Sequence, residues 1–371
     1  MLTENDFAGR HAVPDPSRRE RFARRLIRWQ KQHGRHDLPW QNTRDPYRVW
    51  LSEIMLQQTR VAAVIPYYAR FLARFPTLQD LAAAPVEDVM AQWSGLGYYA
   101  RARNLHACAK VVAHVHGGIF PGDPDAIAEL PGIGRSTANA IAVFCFNARV
   151  AILDGNVKRV LARCFGIDGF PGVPIIEKKM WRLANEQLPT HDMAAYIQGQ
   201  MDLGATLCTR GKPGCDVCPL QDICVARREG RVAELPTPRP KRAMPEKQVT
   251  LLVLLHQGSV LLEQRPPSGI WGSLLSLPEL PAAAAAEHHA RSHLGCDAEH
   301  WQALPDLVRT FTHFRLHISP VMATARQIPG VSEPGLRWMA FDSLASAPLP
   351  APIRRILRAV QRVLHGPNSC Q

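Results

Sequence analysis

The stretch Leu130-Pro131-Gly132-Ile133-Gly134-Arg135-Ser136-Thr137-Ala138 lies between two runs of helical periodicity. Gly132 and Gly134 fall within one tight turn, where the missing side chains let the backbone approach a ligand closely. The next helix begins at once, so its unpaired N–H groups and the positive end of its dipole face outward. Such an end suits a DNA phosphate. The GxxxxGK[ST] pattern of a nucleotide P-loop is missing. A Leu-Pro-Gly-Ile-Gly turn followed by a small-residue helix reads as a helix-hairpin-helix, with a plain helical turn as the alternative. Gly132, Gly134 and Ser136 are its candidate DNA contacts.

Outward from this turn, residues 18–230 read as mostly helical. Amphipathic runs recur at 21–31, 46–59, 61–75, 86–93, 100–114 and 136–147, punctuated by Pro, Gly and Asp. The texture changes after residue 230. Residues 231–247 (RVAELPTPRPKRAMPEK) hold four prolines and five basic residues, which predicts an extended linker. From residue 248 the pattern turns strand-like, with VTLLVLL, SVLLEQR and later HFRLHISPVMATA. A turn is expected at 266–269, an alanine-rich helix at 282–294 and a closing helix at 353–364. The expected class is multidomain: an all-α domain over 18–230, then an α+β domain over 248–371.

The chain has 371 residues, 44 basic and 32 acidic, for a net charge of +12. A polyanion is the leading partner class. With 46% apolar residues, global disorder is excluded. The first residues, MLTENDFAGRHAVPDP, carry no apolar signal region. Apolar stretches such as 249–255 are far too short to span a bilayer. A location in a bacterial cytoplasm, on DNA and away from membranes, is expected.

Nine cysteines in such a chain argue against a disulfide framework. Cys208, Cys215, Cys218 and Cys224 form C-x6-C-x2-C-x5-C. Soft thiolates this dense converge on one centre. Zinc prefers paired knuckles. Irregular spacers can wrap a larger cube, which favours a [4Fe–4S] cluster with zinc as the alternative. Arg210, Lys212, Arg227 and Arg228 flank the loop, so its surface is expected to grip phosphate.

Two carboxylates stand out. Glu53 sits in Trp50-Leu51-Ser52-Glu53-Ile54-Met55-Leu56. An ionised carboxylate among these side chains is costly, so its pKa is expected to rise, as a general acid requires. Asp154, in AILDGNVKRVLAR, follows an apolar run and precedes a helix. It is either a catalytic carboxylate or a helix cap. Two carboxylates in different settings fit cleavage of a glycosidic bond.

These segments together resemble one family. WLSEIMLQQT, GLGYYARARNLH, LPGIGRSTA, LDGNVKRVLAR and the cysteine loop are similar to the adenine DNA glycosylase (MutY) family of the helix-hairpin-helix base-excision superfamily. The likeness is dense over residues 20–230 and weaker through RPPSGIWGSLLSLPE and FTHF. It implies a six-helix barrel beside an iron–sulfur cluster domain, followed by a Nudix-like domain. The implied substrate is duplex DNA with adenine opposite 8-oxoguanine or guanine, bound by a monomer that flips the adenine out of the stack. By the resemblance, Glu53 protonates adenine N7 and helps to place the water. Asp154 stabilises the cationic sugar or bonds to it transiently, with Asn156 alongside, and Gln198 faces the adenine edge. Gln57, Gln58 and Thr59 meet the orphan base. Tyr98, with Leu96 near it, wedges into the duplex beside the lesion.

Two departures refine this. Bifunctional relatives carry a Schiff-base lysine where this chain has Ser136, so base removal by water without strand scission is expected. A Nudix hydrolase holds Mg²⁺ with glutamates, but the corresponding positions here are His289, Ser292 and His293. The C-terminal domain is therefore expected to read 8-oxoguanine, through Phe311, Thr312 and His313, where the family pattern is Phe-Ser-His. Two other functions remain open at this point. One is an endonuclease III-type glycosylase/lyase; the other is a non-catalytic iron–sulfur protein that binds damaged DNA.

Overall fold

The amphipathic runs fold into helices because their apolar faces have neighbours to bury them. In a computed structural model, which describes residues 16–240, 243–282, 284–311, 313–327, 335–345 and 347–365, these are α1 (Pro16–His33), α2 (Pro46–Leu56), α3 (Val61–Arg74), α4 (Leu78–Ala83), α5 (Val86–Trp93), α6 (Ala100–Val115), α7 (Pro124–Ala128), α8 (Arg135–Phe146), α9 (Gly155–Phe165), α10 (Pro174–Glu186), α11 (Met193–Thr206) and the short α12 (Val225–Arg228). Side chains set their starts. Asp45 accepts from the Tyr47 N–H at α2, Thr77 and Asp80 form a capping box at α4, and Asp123 caps α7. Helix α2 stops at Leu56, short of the expected 59, because Gln58 turns to φ 55°.

By contact density the chain forms two units. One takes residues up to Tyr68 together with Cys108 to the linker; the other takes Ala69–Ala107 and the residues after the linker. In the first unit, α1, α9 and α11 share a core of Phe22, Leu26, Val157, Leu161, Tyr196 and Ile197. A Cβ added to Gly204 of α11 would lie 2.5 Å from Asn156 Cβ, so that glycine sets how closely α11 approaches α9.

Arg163 of α9 is 3% exposed. Its guanidinium donates to the carbonyls of Leu235 (2.7 Å), Thr209 (2.7 Å) and Arg210 (3.3 Å) and to Cys208 Sγ (3.4 Å). A buried cation needs these acceptors. They pin residues 208–210 and 235 onto α9. The first residues of the expected linker 231–247 are held against the helices. Leu235 is buried, Arg231 bonds Asp168 and Glu234, and Thr237 Oγ1 accepts from Gly169 N. At its other end Glu246 and Lys247 already belong to a strand.

In the second unit the strands are β1 (Glu246–His256), β2 (Ser259–Gln264), β3 (Leu275–Ser276), β4 (Glu279–Leu280), β5 (Cys296–Ala303), β6 (Leu307–Thr310), β7 (Arg315–Gln327) and β8 (Leu336–Ala340), with helices α13 (Ala286–His293) and α14 (Ala351–His365). They form a mixed sheet in the order β3-β2-β1-β7-β5. β1 and β7 run parallel, with Glu246 opposite Arg315 and Leu255 opposite Thr324. Both faces of β1 are covered, which explains its continuous apolar run. Leu251 and Val253 face a core with Ile353, Ile356 and Leu357 of α14. Leu252 and Leu254 face a core with Ala290 of α13. Helix α13 carries His289 and His293 stacked at 4.9 Å, and Ser292 Oγ donates to the His288 carbonyl.

Residues 69–107 pack within this same unit, which the sequence pattern does not announce. Ser94 Oγ donates to the Leu349 carbonyl (3.1 Å), Arg354 Nη2 reaches Ser94 Oγ (3.1 Å), and Arg103 Nη1 donates to the Gly272 carbonyl (2.7 Å).

Arg163→Leu strands several buried carbonyls at once. It is expected to cost about 2–4 kcal/mol, read as a lowered midpoint in thermal unfolding. A change under about 0.5 kcal/mol would show that the contacts are incidental.

Candidate active site

The helices of the first unit leave an open cavity of about 1420 Å³. Glu53, Gln57, Gln58, Thr59, Ser136, Asp154, Asn156 and Gln198 all line it, although they come from α2, α8, α9, α11 and the turn after α2. Glu53 is carried there because the rest of α2 is anchored: Trp50, Leu51, Ile54 and Met55 are buried in the core. Glu53 itself is half-buried, open only toward the cavity. Burial pushes its carboxyl up to about 7 from 4.5, and the negative charge of Asp154 adds to the rise.

Asp154 is a helix cap and a cavity carboxylate at once. Its Oδ1 accepts from Val157 N at 2.7 Å and its Oδ2 from Asn156 Nδ2 at 3.3 Å. Burial raises its pKa, while these hydrogen bonds and the Arg159 charge pull it back. The N-terminus of α9 thus favours an anion inside the cavity, whereas Glu53 stands among buried apolar residues of α2 and meets the negative charge of Asp154. Burial raises both carboxyls, and only Asp154 has hydrogen-bond donors and an arginine charge that partly offset the rise.

Three partners were not singled out from the sequence. Arg159 donates to Asn156 Oδ1 (2.9 Å) and to the carbonyls of Gly204 (2.6 Å) and Cys208 (2.6 Å). It therefore joins the Asp154–Asn156 pair to the cysteine loop. Arg35 and Asp202 form an ion pair at 2.6 Å, with the Asp202 side chain wholly buried. Gln198 Nε2 donates to the same carboxylate at 2.9 Å. In the sequence Arg159 looks like an ordinary helix-surface charge, and Arg35, in the loop after α1, lies 167 residues from Asp202.

The hairpin turn has Gly132 at φ 76° and Gly134 as the N-cap of α8. Both glycines are exposed, so the first N–H groups of α8 are accessible. Ser136 faces inward: its Oγ accepts from Leu153 N at 3.0 Å, which braces the chain just before Asp154. Gln57 Nε2 reaches Thr137 Oγ1 at 3.4 Å, and Thr59 Oγ1 donates to the Gln57 carbonyl at 3.2 Å.

The remaining predicted residues lie in the other unit. Tyr98 is 49% exposed at φ 50°, with Arg101 over its ring. Leu96 is 8% exposed. It packs inward beneath the surface. Phe311 stacks on Phe314 with centroids 4.6 Å apart, and Phe311 N donates to the Phe314 carbonyl, so His313 sits in a tight exposed turn. Thr312 lies outside the described residues.

The four cysteines are half-buried around two short turns, 215–217 and 221–223. Burial pushes the Cys218 thiol up to about 12, and the neighbouring Cys208, Cys224 and Cys215 oppose its ionisation further. A cationic centre shared with its neighbours would remove the opposition at Cys218. Among the described residues, no three His, Cys, Asp or Glu side chains gather tightly enough for a single metal ion. Four soft thiol donors suit a metal or iron–sulfur centre by their chemistry. Among the described residues no helix is long and apolar enough to cross a membrane.

Comparison with known proteins agrees with this layout. Residues 51–186 match the family model described as HhH-GPD superfamily base excision DNA repair protein, and residues 249–359 match the NUDIX domain. The adenine DNA glycosylase of Buchnera aphidicola (subsp. Acyrthosiphon pisum) is 36% identical over 91% of this chain and 96% of its own length. That of Rattus norvegicus is 32% identical over 94% of this chain and 79% of its own. A solved thermostable thymine-DNA glycosylase is 29% identical with a TM-score of 0.53, covering 57% of this chain and 98% of that one. With a relative at this identity matched over nearly its whole length, the chain belongs to the adenine DNA glycosylase family.

Proposed function

We propose that this chain is a monofunctional adenine DNA glycosylase that removes adenine mispaired with 8-oxoguanine or guanine from duplex DNA. It acts as a monomer in the cytoplasm, with residues 18–230 catalytic, 231–247 connecting and 248–371 reading the lesion. The observation that carries this is the split between two carboxyls of one cavity: Glu53 poised near 7 and Asp154 held by the start of α9.

The chemistry follows from that split. Near neutral pH much of Glu53 retains its proton, which it delivers to N7 of a flipped adenine. The glycosidic bond then breaks with its electron pair on the base, leaving an oxocarbenium-like sugar. Asp154 stabilises that cation, and the Glu53 carboxylate takes a proton from the attacking water. Asn156 keeps Asp154 oriented, and Gln198 faces the adenine edge. Ser136 offers no amine, so no Schiff base forms and the strand stays intact. Gln57, Gln58 and Thr59 support the orphan base, Tyr98 wedges the duplex with Leu96 beneath it, and Gly132 and Gly134 present backbone N–H groups to phosphate. Phe311, Thr312 and His313 read 8-oxoguanine. Cys208, Cys215, Cys218 and Cys224 hold a [4Fe–4S] cluster. The hydrolysis is redox-neutral, so the group's contribution when bound is to cross-link the loop that Arg159 and Arg163 tie to α9.

Incubation with a duplex carrying adenine opposite 8-oxoguanine tests this reading. Strand cleavage only after alkali is expected. Cleavage without alkali would indicate a lyase, and tight binding without base release a damage-binding protein.

Glu53→Gln is expected to slow single-turnover excision by about 10²–10⁴-fold while DNA affinity holds. The same substitution should stabilise the fold at alkaline pH. The folded acid constant of Glu53 lies above its ordinary value of 4.5, so its favourable contribution is fully present below about 4.5 and is lost as pH rises through about 7. At pH 8 the variant should exceed the parent by about 1–3 kcal/mol, and at pH 4 the difference should vanish. Equal stability at both pH values, or retained turnover, would remove Glu53 from the acid role.

A further inference from the structure

The turn that carries Tyr98 is tightly framed by its own residues. Tyr98 stands at φ 50° between Gly97 at φ 78° and the start of α6, a conformation that a tyrosine keeps only where its surroundings over-determine it. Trp93 Nε1 donates to the Gly97 carbonyl at 3.1 Å, Arg101 Nη2 donates to the same oxygen at 3.0 Å, and Gly95 N donates to Tyr99 Oη at 3.1 Å. Two further contacts fasten this turn to the chain beyond the linker, one on each side of Tyr98. On one side Ser94 Oγ donates to the Leu349 carbonyl at 3.1 Å and accepts from Arg354 Nη2 at 3.1 Å. Arg354, on α14, is itself fixed by the carbonyls of Leu344 and Ala347 at 2.9 and 2.8 Å. On the other side Arg103 Nη1 donates to the Gly272 carbonyl at 2.7 Å. Gly272 belongs to a closed turn: Ser273 N donates to the Pro266 carbonyl at 3.0 Å, and a Cβ on Gly272 would lie 2.5 Å from the Pro267 oxygen. Trp271 of that turn packs beside Phe311, with ring centroids 6.4 Å apart.

We propose that Ser94 and Arg103 are positioning residues that lock the Tyr98 turn onto the C-terminal domain, so that entry of the Tyr98 ring into the duplex depends on that domain. The proposal rests on the glycosylase reading and on its assignment of Tyr98 as the wedge. The physical reason is entropic. A ring that is already fixed while 49% exposed loses little freedom when it enters a base stack. A turn held only by its own chain would meet that ordering cost at every encounter. Both residues act through Tyr98 and have no part in the carboxylate chemistry.

The test uses the full-length holoprotein and a duplex with 2′-fluoro-2′-deoxyadenosine opposite 8-oxoguanine. The fluorine opposes positive charge on the sugar and so blocks excision. The readout is the affinity lost on Tyr98→Ala, measured in two backgrounds, because a double-mutant cycle isolates the dependence of one residue on another. In the parent the loss should be about tenfold or more, the worth of an aromatic ring stacked on a base. The released background combines Ser94→Ala with Arg103→Met. It keeps the C-cap bond of α5, which Ser94 makes with its backbone N–H to the Ala91 carbonyl, and an unbranched stem at position 103. There Tyr98→Ala should cost less than about threefold. Ser94→Thr with Arg103→Lys keeps a hydroxyl and a cationic donor and should restore the full loss. If the double substitution does not fold, Ser94→Ala and Arg103→Met are used singly, and each should lower the Tyr98→Ala loss. A 2-aminopurine beside the 8-oxoguanine gives a second readout: its fluorescence rise on binding reports unstacking, and the released protein should show no more of it than Tyr98→Ala does.

An equal Tyr98→Ala loss in the two backgrounds would show that Ser94 and Arg103 only support the fold, and it overturns the proposal. So does a parent in which Tyr98→Ala costs nothing, because the ring is then no wedge. The glycosylase reading fails separately, if the parent releases no adenine from the unmodified duplex. The binding cycle needs no excision and decides the docking in either case.

Discussion

The site depends on placing two carboxyls in one cavity and treating them unequally. Like charges in a space of low dielectric cannot both be held cheaply. Here the conflict is resolved by what backs each group. Asp154 has the first turn of α9, with the Val157 N–H and the Asn156 amide directed at it. Glu53 has Trp50, Ile54 and Met55 around it on α2 and takes up the proton. Acid and anion are assigned by environment, as glycosidic chemistry requires.

That assignment depends on α9 staying where it is. Two arginines one turn apart do much of this. Arg159 ties Asn156 to the carbonyls of Gly204 and Cys208, and Arg163 ties the helix to residues 208–210 and 235. The bare backbone of Gly204 lets α11 close against Asn156. The cysteine loop and Asp154 are therefore braced by one helix. The same α11 carries Asp202 and Gln198, so both walls of the cavity hang from the α9–α11 packing.

Much of this is legible in the residues themselves. The isolation of Glu53 shows as helical periodicity with one carboxylate among apolar neighbours. The hairpin and the cysteine spacing show as local motifs. For Asp154, cap and cavity carboxylate coexist because the start of α9 points into the cavity; local sequence poses them as alternatives. What local sequence does not carry is long-range pairing. Arg35 with Asp202 and Arg163 with Leu235 join segments far apart in the chain, and their arginines look like solvated loop and helix charges. The packing of residues 69–107 with the later strands, the docking of 231–237 and the burial of Leu96 are likewise decided by tertiary neighbours, not by pattern.

Direct titration of the Glu53 carboxyl, by isotope-edited infrared or NMR spectroscopy of the full-length protein and of Asp154→Asn, bears most directly on this account. A midpoint near 7 in the parent is expected, moving down in Asp154→Asn once the opposing charge is gone. A midpoint at the ordinary glutamate value, or one indifferent to Asp154, would contradict it.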